Sequence, residues 1–250
     1  MDRPNRRVFT ETLLTLAKND RRIIALASDS RGSATLNEFA AELPEQFVEV
    51  GIAEQNLVGI AAGMAKCGKV PFACSPACFL SMRSIEQIKT DVAYSGANVR
   101  LIGISGGVSY GALGSTHHSL QDLAVMQAIP GITVILPADN RETAMLTRQL
   151  VDYPGPVYMR LGREAAPRVY DDNYRPAIGK GTLLLSGEDM TIVAMGELVR
   201  SALDAGYLLR QAGISCRVVA LNTLKPLDTE ILLTAARETG ALLTVEEHSI

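Results

Sequence analysis

The chain has 250 residues, of which 47% are hydrophobic and 20% are charged, with a formal net charge of −3. This length and composition allow a sizeable core, and the dispersed Lys and Arg residues exclude a basic surface for nucleic acid or an anionic membrane. Because no segment has the apolar length of a membrane span and the N-terminal sequence lacks the apolar stretch of a signal peptide, we expect a soluble, cytoplasmic protein.

Short runs rich in β-branched residues alternate with longer amphipathic segments along the first part of the chain. This alternation is typical of βαβ units built around a parallel sheet. The predicted strands cover residues 22–27, 46–50, 69–74, 99–105, 132–136 and 157–161. The predicted helices cover residues 8–19, 52–66, 84–94, 119–128 and 141–151.

An irregular segment with two prolines and an Asp171-Asp172-Asn173 cluster follows and predicts a linker over residues 166–180. We therefore predict an α/β fold in which a parallel sheet flanked by helices (1–165) precedes a smaller α/β domain (181–250). With only three predicted strands, we expect this second domain to be incomplete. Its predicted strands are 190–194, 215–220 and 241–245, and its predicted helices are 198–211 and 228–239.

The four cysteines (Cys67, Cys74, Cys78 and Cys216) do not indicate a disulfide framework in a chain of this length. Cys74 and Cys78 stand four positions apart with no histidine between them, which disfavours a zinc site. We predict no metal site made by this chain alone.

Two acidic residues follow predicted strands, at the edge of the sheet where open α/β folds bind ligands. Asp29 lies in the loop after the first strand, where a role as a turn or helix-capping residue is an equally good interpretation. Glu54 lies in the first turn of a mostly apolar helix, where the helix N-terminus favours the carboxylate and burial favours the acid. Such a carboxyl group could exchange a proton with a bound nitrogen base, although a Glu there also simply supports the helix dipole.

Basic side chains are predicted at the same edge. His117 ends a glycine-rich loop, where its imidazole could donate to a substrate oxygen; a loop histidine is also common as a solvent or packing residue. Arg160 and Arg163 frame the end of the last strand before the linker, where an arginine can hold a phosphate or carboxylate. Salt bridges to the aspartates of the linker explain these two arginines equally well.

Several segments together resemble one enzyme family. The segment Gly51–Gly63, GIAEQNLVGIAAG, strongly resembles the pyrimidine-binding domain of thiamine-diphosphate-dependent transketolases. The chain is similar to the C-terminal half of a transketolase, as found in split, two-subunit enzymes, and this implies the thiamine-diphosphate-binding fold. The other segments that follow the family's order are Arg83–Ile88, Gly107–Ser109, Leu120–Ala124, Ile129–Pro130, Leu136–Asp139, Lys225–Asp228 and Thr244–His248.

Three residues are expected to bind thiamine diphosphate, and the resemblance implies two of them. Glu54 is the carboxyl group that hydrogen-bonds N1′ of the aminopyrimidine ring and favours the imino tautomer, whose nitrogen removes the C2 proton. Phe79 stacks on the same ring. Asp29 is the third expected residue, chosen for its place in the loop after the first strand. The family usually has a second aromatic residue where this chain has Pro76, so we expect the ring pocket to be packed differently.

The family holds the diphosphate of the cofactor through Mg²⁺ with a Gly-Asp-Gly motif in another domain, and the 250 residues contain no such motif. The resemblance therefore implies a partner, an N-terminal transketolase subunit that carries the diphosphate-binding domain and most of the Mg²⁺ ligands. We expect the active site to lie between the two kinds of subunit in an α2β2 assembly.

The resemblance also implies the reaction, in which a two-carbon ketol unit passes from a ketose phosphate to an aldose phosphate. His117 would be a catalytic residue that also binds the substrate, and Arg163 would hold the sugar phosphate. Ser105, the third substrate-binding residue, stands where the family has a histidine. Leu113 stands where the family has an aspartate that reads a substrate hydroxyl. A site built for a hydroxyl rejects analogues that lack it, so these replacements suggest a branched, deoxy or sulfonated donor.

Three alternatives remain. The β subunit of a 2-oxo-acid dehydrogenase E1 shares the fold, the Glu and the loop ending in His, but a 2-oxo acid has no use for a phosphate clamp at Arg163. A 1-deoxyxylulose-phosphate synthase fragment is less favoured because those enzymes are normally single chains. A non-catalytic partner subunit is favoured by Pro76 and Leu113 and disfavoured by the retained site residues.

Overall fold

The computed structural model describes residues 2–249, which contain two sheets. The strands are β1 (Ile23–Ala27), β2 (Phe47–Glu49), β3 (Val70–Pro76), β4 (Arg100–Ile104), β5 (Thr133–Ile135), β6 (Val157–Leu161), β7 (Gly181–Leu185), β8 (Met190–Met195), β9 (Cys216–Leu221), β10 (Thr223–Lys225) and β11 (Leu242–Val245). The helices are α1 (Asn5–Ala17), α2 (Asn37–Glu42), α3 (Glu54–Lys66), α4 (Ala77–Arg83), α5 (Ile85–Gln87, continuing as the π-helical segment Ile88–Tyr94), α6 (Asp122–Ala128), α7 (Asn140–Leu150), α8 (Val199–Gln211) and α9 (Thr229–Glu238).

The larger sheet has seven strands in the order β2-β1-β3-β4-β6-β5-β10. Neighbouring strands are parallel, except that β10 is antiparallel to β5. Ala27 pairs with Cys74 and Ser75 pairs with Gly103, so the residues that follow β1, β3 and β4 meet at one edge. This carboxyl edge is where parallel sheets bind ligands.

Both faces of the larger sheet are covered, which explains the continuous apolar runs of its strands. Every residue of β1, β3, β4 and β6 is buried. Leu57 of α3 and Leu80 of α4 pack on one face, and Leu13 of α1 packs with Leu146 of α7 on the other. Burying each such side chain stabilises the fold by roughly 1.5–3 kcal/mol.

The smaller sheet has the order β11-β8-β9-β7 and is parallel except for the edge strand β7. Met195 and Leu221 of this sheet belong to the same core cluster as Leu136 and Leu57 of the larger unit. β10 lies beyond β9 in the chain but joins the larger sheet. The division into 1–165, the linker 166–180 and 181–250 stays a prediction, and the pairing of β10 with β5 crosses it.

The predicted fold class is confirmed: a parallel-dominated sheet flanked by helices precedes a smaller sheet unit. The prediction missed α2, α4, β7 and β10, which have between three and seven residues. Such short elements give little periodicity, and α4 follows β3 with no turn residue between them. No helix within residues 2–249 is long and apolar enough to cross a membrane.

Candidate active site

A cavity of about 320 Å³ opens at the carboxyl edge of the larger sheet. Residues that follow β1, β2 and β3 form one side of it, and the loop between β4 and α6 forms the other. The residues that line it are Ser28, Asp29, Ser33, Ile52, Glu54, Pro76, Phe79, Arg83, Tyr110, Leu113 and His117. The structure therefore brings together four of the six predicted site residues: Asp29, Glu54, Phe79 and His117.

Glu54 begins α3 and is only 4% exposed. Nη1 of Arg83 donates to both of its carboxylate oxygens, at 3.2 and 3.1 Å, and the Ser28 hydroxyl lies 3.5 Å from Oε1. The N-terminus of α3 further favours negative charge at this position. Glu54 is thus a buried acceptor whose main hydrogen-bond donor comes from another helix.

Arg83 and Phe79 lie one turn apart on α4, which places their side chains next to each other. The guanidinium carbon of Arg83 lies 4.0 Å from the centre of the Phe79 ring. Because the same guanidinium donates to Glu54, a planar, N–H-bearing cation occupies the space between the carboxylate and the aromatic ring. The Arg83 side chain remains 47% exposed.

His117 lies beside this group. Its ring centre is 5.2 Å from that of Phe79 and 5.3 Å from that of Tyr110, with edge-on geometry in both pairs. The Thr116 hydroxyl lies 3.0 Å from Nδ1 of His117, which leaves Nε2 available to a ligand. The adjacent His118 instead contacts the Gly111 carbonyl at 3.1 Å through its own Nε2.

The guanidinium carbon of Arg163 lies over the Tyr110 ring, 5.1 Å from the ring centre. Arg6 lies close by: burial first, and then the Arg163 charge, lowers the pKa of Arg6. Nη1 of Arg6 donates to the carbonyl of the cavity-lining Ser33 at 2.6 Å. Nε of Arg6 and Nη1 of Arg163 are buried without a hydrogen-bond partner among residues 2–249, so this pair of cations offers donors to an anion.

Ser105 and Asp29 share an unusual backbone conformation, with φ of +56° and +52°. Ser105 is fully buried after β4, does not line the cavity, and its hydroxyl has no partner in the described part of the chain. Asp29 is exposed at the rim, and its N–H donates to the Glu49 carboxylate at 2.7 Å. Both residues thus shape the loops at this edge.

Arg160 is not an anion clamp. It is buried, its Nη1 lies 3.3 Å from Asp122, and its Nη2 donates to the Glu247 carbonyl at 2.7 Å. Among the described residues, no ion pair joins Arg160 or Arg163 to the linker aspartates, so that alternative is wrong. Of Arg160 and Arg163, it is Arg163 that offers a buried N–H group without a partner in the described part of the chain.

Two family models together match almost the whole chain. The model described as "Transketolase, pyrimidine binding domain" matches residues 3–168, and "Transketolase, C-terminal domain" matches residues 179–250. The chain belongs to the transketolase family. The family resemblance of the sequence is therefore confirmed.

Relatives of this transketolase chain include proteins named as transketolase subunits. An apulose-4-phosphate transketolase subunit of Phocaeicola vulgatus is 55% identical over 98% of this chain and 78% of the relative. A 6-deoxy-6-sulfo-D-fructose transketolase subunit of Clostridium sp. is 38% identical over 98% of this chain and 76% of the relative. A solved structure described as "Split gene transketolase, inactive beta4 tetramer" superposes with a TM-score of 0.91 at 38% identity, covering 100% of this chain and 81% of that one.

Sequence reasoning gave no role to three residues in or beside this cavity: Arg6, Arg83 and Tyr110. The four-residue spacing of Phe79 and Arg83 on one helix was a usable signal for their contact. Arg6 had no such signal, because only folding brings the start of α1 next to the residues after β6.

Proposed function

We propose that the chain is one subunit of a thiamine-diphosphate-dependent transketolase that transfers a two-carbon ketol unit from a ketose phosphate to an aldose phosphate. The observation that carries the proposal is the Glu54–Arg83–Phe79 arrangement, in which a planar cation donates to a buried carboxylate and lies on an aromatic ring. An aminopyrimidine ring has the same requirements: a flat face to stack and a nitrogen to protonate.

The residues present fit this cofactor. Glu54 would hold the proton at the ring nitrogen, Phe79 would fix the plane of the ring, and the half-exposed Arg83 would swing out of the space. When bound, thiamine diphosphate supplies the chemistry that breaks and forms the carbon–carbon bond, while the protein orients it and excludes water. The near-complete burial of Glu54 meets the last requirement.

The substrate end favours a sugar that carries a phosphate or a sulfonate over a 2-oxo acid. Arg6 and Arg163 each offer a buried N–H group that has no partner within residues 2–249, which suits a phosphate or a sulfonate. His117 lies beside Phe79 and keeps Nε2 available as a donor to a sugar oxygen. Leu113 presents an apolar, 55% exposed side chain where the resemblance implies an aspartate. We therefore propose a modified donor of the kind named for the two relatives, an apulose phosphate or a sulfofructose.

A partner subunit supplies what this chain lacks. Within residues 2–249, no three His, Cys, Asp or Glu side chains are grouped to hold a metal ion, and the sequence has no Gly-Asp-Gly motif. Ile52 lines the cavity beside Glu54 and is 75% exposed, so it lies where we expect the partner to contact this chain. We propose that the partner binds Mg²⁺ and the diphosphate, in an α2β2 assembly.

Calorimetry with thiamine diphosphate and Mg²⁺ tests the split site. We expect no binding to this chain alone and binding to its mixture with a subunit that carries the Gly-Asp-Gly motif. Tight binding to the chain alone would show that the two-subunit proposal is wrong.

Donor profiling of the reconstituted complex tests the substrate. The panel is apulose 4-phosphate, 6-deoxy-6-sulfo-D-fructose, xylulose 5-phosphate and pyruvate, each with an aldose phosphate as acceptor. We expect turnover of at least one modified ketose and a higher kcat/KM for it than for xylulose 5-phosphate. Preference for xylulose 5-phosphate would contradict the modified donor, and preference for pyruvate would contradict ketol transfer.

A further inference from the structure

The loop that carries His117 is fastened at its base. Gly107 and Ser119 exchange two backbone hydrogen bonds, of 3.0 and 2.8 Å, so that residues 108–118 form a closed loop, here called the His117 loop. Tyr110, Leu113 and His117 of this loop all line the cavity. The orientation of the loop at its base therefore decides where these side chains lie.

A carboxylate from the smaller unit reaches this base. Oε1 of Glu247, just after β11, accepts from the N–H of Val108, the first residue of the His117 loop, at 2.9 Å. The side chain of Glu247 is 33% exposed, does not line the cavity and has no contact with a cavity-lining residue among its hydrogen bonds and ion pairs within residues 2–249. Its effect on the site must therefore pass through the loop.

Glu247 is itself anchored in the core. Arg160 donates through Nη2 to the Glu247 carbonyl at 2.7 Å, and the same nitrogen lies 3.6 Å from the Glu247 carboxylate. Nη1 of Arg160 lies 3.3 Å from the fully buried Asp122, which also accepts from the Tyr158 hydroxyl at 2.6 Å. The carboxylate that meets the loop is thus fixed through a buried ion pair.

Two glycines leave room for the side chains of Glu247 and Arg160 beside the base of the His117 loop. A Cβ at Gly107, where φ is +61°, would lie 2.0 Å from the carboxyl carbon of Glu247. A Cβ at Gly106 would lie 2.3 Å from Nε of Arg160. The backbone before the His117 loop is therefore shaped to admit these two side chains.

We propose that Glu247 is a positioning residue for the donor sugar, because it fixes the His117 loop from the smaller unit. The proposal rests on the proposed function, since it takes His117 as a substrate-binding residue. Glu247 acts only on the substrate side of the cavity, because the Glu54–Arg83–Phe79 group lies on α3 and α4 and makes no contact with it among the hydrogen bonds of the described residues. A defect at Glu247 should therefore separate donor binding from cofactor binding.

The test compares Glu247→Ala and Glu247→Gln with Glu246→Ala, an exposed neighbour outside the site, in the reconstituted complex. We expect Glu247→Ala to raise the KM for the donor about tenfold and to leave the Kd for thiamine diphosphate within about twofold. Glu247→Gln should recover most of the loss, because its amide oxygen can still accept from Val108. Glu246→Ala should behave like the wild type.

Hydrogen exchange of residues 108–118 separates this proposal from the proposed function. We expect Glu247→Ala to speed exchange of the His117 loop, with Glu246→Ala unchanged. Unchanged exchange, or faster exchange with an unchanged donor KM, would overturn the positioning role. A wild-type complex that transfers no ketol unit would overturn the proposed function, and loop exchange alone would then decide whether Glu247 orders the loop.

Discussion

The Glu54 carboxylate is almost completely buried, and a buried charge is costly without a partner. Arg83 is that partner, but it comes from a half-exposed position. Removing the partner of a buried charge is costly, so Arg83 can leave only as another donor takes its place at Glu54. At the scale of single residues, the Glu54 carboxylate is therefore placed to exchange one planar, N–H-bearing partner, the Arg83 guanidinium, for another.

We predict that Glu54→Gln lowers kcat of the reconstituted complex by at least about 100-fold, since general acid–base groups contribute roughly that much. The amide preserves the shape of the side chain but cannot take up or release the proton. Glu45→Gln, which removes an exposed carboxylate paired with Arg21, is the matched control. A loss of only a few fold at Glu54 would mean that the subunit is not catalytic in the proposed way.

We predict that Arg163→Gln and Arg6→Gln each raise the KM for a phosphorylated donor by about 10- to 100-fold, the range expected for a lost hydrogen bond to a charged group. The Kd for thiamine diphosphate should not change, because neither arginine contacts Glu54 or Phe79 through a described hydrogen bond. Arg168→Gln, at an exposed arginine paired with Asp172, is the control. Equal loss with a donor that carries neither a phosphate nor a sulfonate would contradict an anion site.

At the scale of elements, the segment Lys225–Asp228, which carried part of the family resemblance, has a structural role. Nζ of Lys225 donates to the carbonyls of Gln127 and Ile129 at the end of α6, at 2.8 and 2.6 Å, which ties β10 to that helix. Asp228 caps α9 and accepts from the N–H of Gly181 at the start of β7. This segment therefore holds the two units together and lies outside the cavity lining.

The neighbouring strands β4 and β6 leave no room for a side chain at Gly103. A Cβ there would lie 2.3 Å from the Tyr158 hydroxyl, which Asp122 holds in place. We predict that Gly103→Ala lowers the free energy of unfolding by about 1–3 kcal/mol, as overpacked cores do, measured by urea denaturation of the chain. Gly32→Ala is the control: the added methyl group meets open space, so its free energy of unfolding should stay within about 0.5 kcal/mol of the wild-type value. An equal loss of stability in the two variants would show that β4 can shift to admit the methyl group.

At the scale of the whole molecule, Glu142 joins three parts of the chain. It lies in the first turn of α7, accepts from the N–H of Ala138 at 2.8 Å, and accepts from the Tyr174 hydroxyl of the linker at 2.7 Å. The same hydroxyl lies 3.2 Å from Thr182 of β7. Burial raises the pKa of Glu142 to about 7 despite these hydrogen bonds.

The raised pKa makes stability depend on pH. Between about pH 4.5 and pH 7 the folded chain keeps a proton on Glu142 that the unfolded chain has lost, so the free energy of unfolding falls as the pH rises through this window. We predict that the wild type loses about 2–3 kcal/mol more than Glu142→Gln between pH 5 and pH 8 in urea denaturation. Equal losses in the two proteins would show that Glu142 ionises normally in the folded state.

Much of this protein could be predicted from local sequence. The β-branched runs and amphipathic segments predicted the parallel-dominated sheet. A strand buried on both faces has a continuous apolar run, whereas a helix buried on one face has apolar residues three or four positions apart. The Gly51–Gly63 and Lys225–Asp228 segments predicted the family, which is confirmed. Asp29, Glu54, Phe79 and His117 were chosen from the sequence, and all of them line one cavity, while their roles stay a prediction.

The tertiary structure alone decided which polar groups meet. Arg160 and Arg163 look equivalent in the sequence, but the fold buries Arg160 against Asp122 and leaves Arg163 beside Arg6 with an N–H group that has no partner within residues 2–249. Glu247 reaches the base of the His117 loop only because the smaller sheet packs on the larger one. Periodicity and turn residues are properties of near neighbours in the chain and can be read from it, whereas hydrogen bonds and charge pairs between distant segments exist only after the core has packed.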